Sequence, residues 1–225
     1  MAVYTKINRS DLTSISRKFN FENFQSFKGI KQGIENTNYL LKSKNKKFIL
    51  TIFEKRVVKK EIPFFMKLMD QLNNLNINCP KPLKNNQGHY LIKVKNKIAC
   101  VVTFLDGKDK KKLNLKNCFD IGKTIAQMHL STKKLELYRK NSMGIKNLNP
   151  LLNSIKFKSK KFINLEKFLK TNLKDIKSKW PKKLPQGIIH GDLFIDNIFF
   201  KGNKLSGIID FYFAANDYFM YEIAI

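Results

Sequence analysis

The chain holds only three cysteines, Cys79, Cys100 and Cys118, and no two of them share a C-x-x-C spacing. That scarcity excludes a disulfide framework and a cysteine zinc site, so the three read as buried thiols. Apolar runs are short as well. None approaches the roughly 20 residues that a membrane-spanning helix needs, and the opening "MAVYTKINRSDL" lacks the apolar stretch of a secretion signal. The chain therefore reads as cytoplasmic, with no membrane partner. Arginine is rare: of 44 basic residues four are Arg and the rest Lys. Paired grips on phosphates and base edges are characteristically Arg, which weighs against a nucleic-acid face despite a net charge of +27. The lysines are scattered through every segment beside many Asn and Ile, the pattern of an A+T-rich coding sequence. Aromatic residues sit at core-like spacing, not interleaved with bases as a stacking platform would have them.

What is present suffices for a core. The chain has 225 residues, 43% of them apolar and nineteen of them Phe, enough for one large domain or two small lobes. There is no internal repeat. From Phe24 to about Val102 the pattern is mostly strand: "YLLKS", a polar turn "KNKK", then "FILTIFE" predict a hairpin. One helix interrupts it, "EIPFFMKLMDQLNNL", with Phe64, Leu68, Leu72 and Leu75 on one stripe, Pro63 in the first turn and Glu61 at the positive end of the dipole. "NCPKPL" breaks that helix, and "IACVVTFLDGK" gives a strand ending in a turn. Beyond it Cys118, Ile121, Ile125 and His129 repeat at helical spacing, as do Phe162, Leu165, Leu169, Leu173 and Ile176 until "WPKKLP". An α+β chain of two lobes follows, with a small antiparallel sheet lobe over residues 1–105 and a mainly helical lobe over 106–225.

Within the helical half lies "GIIHGDLFIDNIFF", a strand and loop followed by a predicted hairpin, "NIFFKGNKLSGIIDF", that turns at "KGNK". It sets three polar groups at fixed offsets: Asp192, Asn197 five residues on, and Asp210 eighteen residues after the first. Phosphoryl transfer needs such a trio. One carboxylate accepts or orients the attacking hydroxyl, while an amide oxygen and a second carboxylate hold the magnesium that neutralises phosphate charge. The kinase loop H-R-D-x-x-x-x-N with its following D-F-G has this layout. Asp and Asn in loops also cap turns, and a lone D-x-x-x-x-N arises by chance; an apolar frame and a hairpin delivering a third polar group are less readily accidental. His190 reads as a structural brace for the loop, and Asp196 as a loop acid with no ligand role.

The segments "MAVYTKI", "GIENTNYLL", "FILTIFEKR", "PFFMKLMDQL", "CPKPL", "IACVVTFLDGK", "GIIHGDLFIDNIFF" and "LSGIIDFYFAANDYFMYEIAI" together resemble the bacterial homoserine kinases of the aminoglycoside-phosphotransferase, protein-kinase-like fold. The resemblance runs in order from Met1 to Ile225. "ENTNY" and "IDFYFAAND" are specific to that group, whereas H-G-D-x-x-x-x-N belongs to the wider superfamily. It implies a kinase-like fold, ATP and Mg2+ as cofactors, and L-homoserine as the small-molecule substrate, phosphorylated to O-phosphohomoserine for threonine synthesis. Asp192 would be the catalytic base, with Asn197 and Asp210 on the metal.

The resemblance also places ATP. Gly33 to Asn38 lies where kinases fold a Gly-rich hairpin over the phosphates, but it has one Gly, so the side chains of Asn36, Thr37 and Asn38 would assist. The same residues can equally be a polar turn before the strand at Tyr39. Thr103, Phe104 and Leu105 would be the adenine-pairing hinge, or a plain core strand. Asn216 and Asp217 are the polar candidates for the acceptor's ammonium, or caps of the following helix. Thr51 stands where most kinases carry the phosphate-binding Lys, as in the related homoserine kinases; Lys47 and Lys55 are the candidate replacement cations, and Glu61 is left without the usual Lys partner. Family members continue further as helices, so the lobe ending at "YEIAI" is expected to be incomplete and to leave Phe211, Phe213, Tyr218, Phe219 and Tyr221 uncovered. Kinases of the same fold acting on choline, an aminoglycoside or methylthioribose share the trio; "ENTNY" and "FYFAAND" favour homoserine. A basic nucleic-acid-binding protein on an inactive kinase scaffold is the reading from another class.

Overall fold

The computed structural model describes residues 3–21, 24–33, 35–55, 57–155 and 160–225, with the backbone alone at 160, 161 and 163. Ile34 of the expected phosphate loop and Arg56 of "FILTIFEKR" lie outside the described residues. In chain order the elements are α1 (Arg9–Lys18), β1 (Ser26–Gly29), β2 (Thr37–Lys42), β3 (Lys47–Ile52), α2 (Ile62–Asn74), β4 (Leu91–Val94), β5 (Lys97–Thr103), α3 (Leu115–Thr132), α4 (Ile145–Ser154), α5 (Lys160–Lys179), β6 (Gln186–Ile189), β7 (Ile198–Lys201), β8 (Lys204–Ile208), β9 (Ala215–Tyr218) and α6 (Phe219–Ala224). They fall into two compact units, Met1–Leu137 with Leu193–Tyr212, and Tyr138–Asp192 with Phe213–Ile225.

The first unit is built on a five-stranded antiparallel sheet in the order β1-β2-β3-β5-β4. The predicted hairpin is β2–β3, with Tyr39 opposite Leu50 and Leu41 opposite Phe48. Side chains alternate across a strand, so Tyr39, Leu41, Leu50, Ile52, Ala99 and Val101 share one face. That face is buried against Leu12 and Ile15 of α1, with Phe19, Phe24 and Phe48 in the same cluster. Helix α1 was not read from the sequence, although "NRSD" encodes its start: the Asn8 side chain accepts from Asp11 N–H and the Asp11 carboxylate from Asn8 N–H, each at 2.9 Å, a reciprocal cap. Helix α2 starts as expected around Pro63, but its buried face is broader, taking in Phe65, Met66 and Met69, while Leu75 is exposed at its end.

Backbone pairing ties the β7–β8 hairpin to the sheet unit. Lys108 and Phe200 exchange N–H to carbonyl bonds of 3.1 and 2.8 Å, and Ile208 N–H donates to Asn78 O at 3.0 Å. Gly207, at φ 156°, allows that last approach: a Cβ there would come within 2.3 Å of the Asn78 carbonyl oxygen. Cys79 and Cys100 are buried, and burial pushes both thiols up to about 12, which makes them inert. Cys118 corrects the expectation, being exposed on α3.

In the second unit β6 pairs antiparallel with β9, and α4 packs on α5. The predicted stripe of α5 forms a helix, yet of its apolar residues Leu173 is buried while Phe162, Leu165, Leu169 and Ile176 are exposed. The aromatic residues expected to lie uncovered after Asp210 do not: Phe211 is fully buried in the first unit, and Phe213, Tyr218, Phe219 and Tyr221 are half-buried. Met220 and Ile223 carry the exposure instead. No helix among the described residues is long and apolar enough to cross a membrane.

Candidate active site

The hairpin of the first unit brings two of the three motif residues together. Strand β7 begins with Ile198 paired to Ile208 of β8, so the next pair outward is Asn197 and Ile209, and Ile209 N–H donates to Asn197 O at 2.9 Å. Asp210 follows at φ 65°, a left-handed conformation that Asp tolerates better than most residues. Asn197 is buried and Asp210 exposed, both at the open end of the hairpin. An amide and a carboxylate are hard oxygen donors that fit Mg2+. Among the described residues no three His, Cys, Asp or Glu gather as a metal cage, so an ion held here would complete its shell from water and phosphate, as Mg2+ characteristically does.

On the sheet, the residues expected around the phosphates divide. Gly33 is exposed at φ 89°. Asn36 is buried, its side-chain oxygen accepting from Glu54 N–H at 3.3 Å. Thr37 is fully buried, and its hydroxyl donates to Glu54 Oε1 at 2.8 Å while accepting from Tyr4 and Thr5 N–H at 2.9 and 3.1 Å. A hydroxyl has one donor and two acceptor sites, so all three are engaged inside the protein, where Thr37 braces the chain near Tyr4 against Glu54. Glu54 also pairs with Lys97 and accepts from the Thr5 hydroxyl at 2.7 Å. Burial raises its carboxyl's pKa, but Lys97 and the two hydroxyls outweigh that and hold it below the usual value. Asn38 is half-buried and accepts from the Thr51 hydroxyl at 2.8 Å.

Thr103 closes β5 with its N–H on Lys81 O and its hydroxyl accepting from Lys81 N–H, at 2.9 and 2.8 Å. Phe104 N–H bonds Lys47 O at 3.2 Å. The Lys47 ammonium lies 5.2 Å from the centre of the Phe104 ring and 3.9 Å from Asp106, at the hinge. Lys55 is exposed, and Glu61 closes the turn before α2.

In the second unit, Asp192 ends the loop that leaves β6. Its N–H is held by His190 Nδ1 at 3.3 Å, so fully buried His190 is a brace, as its place in the motif suggested. Gly191 has φ 77°, and a Cβ there would lie 2.7 Å from the Phe213 carbonyl oxygen. Asn216 and Asp217 neither cap α6, whose preceding residue is Tyr218, nor stand apart. Asn216 exchanges bonds with the Arg139 backbone at 2.9 and 2.7 Å, and Asp217 accepts from the Asn141 amide at 2.7 Å.

Three functional neighbours escaped the sequence reading. Glu222 is buried, and its carboxylate accepts from His190 N–H and, at 3.1 Å, from Gly191 N–H. Arg139 is buried and donates to the carbonyls of Phe213 and Ala214, at 3.4 and 3.1 Å. Glu54 is the third. Of the three, Glu222 is the lone charge in an apolar stretch, "YFMYEIAI", and a buried charge must find partners; Glu54 and Arg139 stand among other charges, beside Lys55 and Lys140, and carry no such signal.

Comparison with known proteins agrees with this architecture. Residues 26–225 match the profile described as "Phosphotransferase enzyme family". The chain is 38% identical over 226 residues to a homoserine kinase of Parvibaculum lavamentivorans and 40% identical over 227 residues to one of Bradyrhizobium diazoefficiens, covering 100% of this chain and 70% and 69% of theirs. Among solved structures it is similar to an amicoumacin kinase in complex with AMP-PNP and Ca2+, with a TM-score of 0.77 at 17% identity, covering 98% of this chain and 68% of that one. A microcompartment-associated aminopropanol kinase gives 0.72 at 15%, covering 94% and 72%.

Proposed function

The chain belongs to the phosphotransferase enzyme family, and on that premise we propose that it transfers the γ-phosphate of ATP to the hydroxyl of L-homoserine. The observation that carries this reading is the match of the whole chain to 70% and 69% of the length of two homoserine kinases, joined to the β7–β8 pairing, which brings Asn197 and Asp210 to one end of a hairpin. In this reading Asp192 takes or orients the acceptor hydroxyl proton. Asn197 and Asp210 hold Mg2+, which when bound neutralises charge on the transferring phosphate. Gly33, Asn36 and Asn38 border the nucleotide, and Thr103, Phe104 and Leu105 form the adenine edge. The enzyme works in the cytoplasm on a small amino acid, with no nucleic-acid or membrane partner; the product feeds threonine synthesis.

Homoserine presents an ammonium, a carboxylate and a primary hydroxyl, and a site tuned to its chain length holds the hydroxyl in line with the γ-phosphate. Steady-state rates with L-homoserine, L-serine, choline and an aminoglycoside test the assignment. L-homoserine is expected to be phosphorylated well, L-serine poorly because its hydroxyl falls short, and the other two not at all. A preference for choline or an aminoglycoside leaves the kinase chemistry standing and removes homoserine. Binding of DNA that falls steeply with salt, without any kinase activity, would instead favour the nucleic-acid reading.

A further inference from the structure

Thr51 occupies the strand position where a phosphate-binding Lys would be expected, and the first unit contains a physical reason for the exchange. Thr51 on β3 pairs with Asn38 on β2 and with Cys100 on β5. Directly opposed residues present their side chains on the same face, so Asn38, Thr51 and Cys100 form a row across the sheet. Thr51 is 2% exposed and donates to Asn38. Beneath the row sits Tyr212, two residues after Asp210. Its hydroxyl adjoins Thr51 and lies 3.9 Å from Cys100 Sγ. Its ring stands edge-on to Phe53 and Phe65, at 5.2 and 5.7 Å. A Lys at position 51 would press a desolvated ammonium into this seat.

The consequence falls on Asp210. Ile209 is fixed by its bond to Asn197, Phe211 is fully buried, and Tyr212 is lodged under the sheet; Asp210 is the exposed residue between these anchors, at φ 65°. We propose that Tyr212, seated against Thr51 and Cys100, is a positioning residue that holds Asp210 in its metal-binding orientation and links it through Thr51 to Asn38 on the nucleotide strand. The inference rests on the reading of Asp210 as a metal ligand.

The test is calorimetric and needs no turnover: the affinity of ADP is measured with Mg2+ and in EDTA, for the wild type, Tyr212→Ala, Tyr212→Phe and Asp210→Asn. Partners that orient a metal ligand are worth about 10-fold or more in metal affinity, so Tyr212→Ala is expected to reduce the Mg2+-dependent gain in ADP affinity by about that factor. Its affinity in EDTA should stay close to wild type. Tyr212→Phe keeps the ring in its apolar seat and loses the hydroxyl contacts, for an expected ~3-fold reduction; it serves alone if the Ala variant does not fold. An unchanged Mg2+-dependent gain in the Tyr212 variants, or equal losses with and without Mg2+, would overturn the proposal while Asp210→Asn still loses the gain. If Asp210→Asn keeps the gain, the metal reading itself fails, and the inference with it.

Discussion

The β7–β8 hairpin and the segment that leads into β2 carry similar polar side chains in different surroundings. At the end of the hairpin Asp210 is exposed, and a backbone bond from Ile209 N–H to Asn197 O holds the chain beside it. At the start of β2, Asn36 and Thr37 are buried and spend their side chains on Glu54 and on the chain near Tyr4. The difference lies in who satisfies the backbone. At β7–β8 strand pairing does so, with Ile209 N–H on Asn197 O; in the irregular segment before β2 the side chains do the tying.

Asp210→Ala should break this contrast most completely. On the proposed role of Asp210, its removal is expected to lower turnover at least about 1000-fold, the several kcal/mol a catalytic metal provides, and to weaken MgATP binding more than binding of metal-free ATP. Equal loss for both nucleotide forms would reduce Asp210 to the end of a hairpin. Next comes Asp192→Asn, with an expected loss of about 100-fold or more in kcat and little change in ATP affinity. A variant with half its activity would remove Asp192 from the chemistry. Stopped assays with a nucleotide-binding titration measure both.

Thr37→Val sharpens the comparison from the other side. Its isostere cannot donate to Glu54 or accept the two N–H groups, so unfolding should be easier by about 1–3 kcal/mol, read from urea titration, while kcat holds. A large fall in kcat with unchanged stability would return Thr37 to the nucleotide site.

The smallest expected effect is a pH dependence. Glu54's carboxyl is held below its usual value, so its contribution is complete above the unfolded carboxyl's pKa and fades as pH falls through the lower folded value. The wild type should exceed Glu54→Gln in urea resistance at pH 6, and the gap should close in the acid range below the ordinary Glu pKa. A gap that widens on acidification contradicts the assigned network.

The motif was legible because it is local: the hairpin at "KGNK" joins Asn197 to Asp210, and short apolar runs around turn residues marked β2, β3 and β5. Illegible were partnerships of long separation. Nothing near Thr37 announces Glu54, and nothing near His190 announces Glu222, because a buried charge chooses partners by fold and not by spacing. Helix α1 was missed for want of a long apolar stripe, and Cys118 and much of the α5 stripe were read as buried because helical period alone does not say what lies opposite. Thr51 likewise has its neighbour far along the chain, the Tyr212 hydroxyl that adjoins it.

The most direct test of the account is phosphorus NMR of the wild-type chain with ATP, Mg2+ and L-homoserine. A new phosphomonoester resonance is expected to grow as ADP forms, and to vanish when Mg2+ or homoserine is withheld or Asp210 is replaced by Ala. ATP turnover with no phosphomonoester, or a phosphomonoester that forms undiminished in the Asp210→Ala variant, would contradict it.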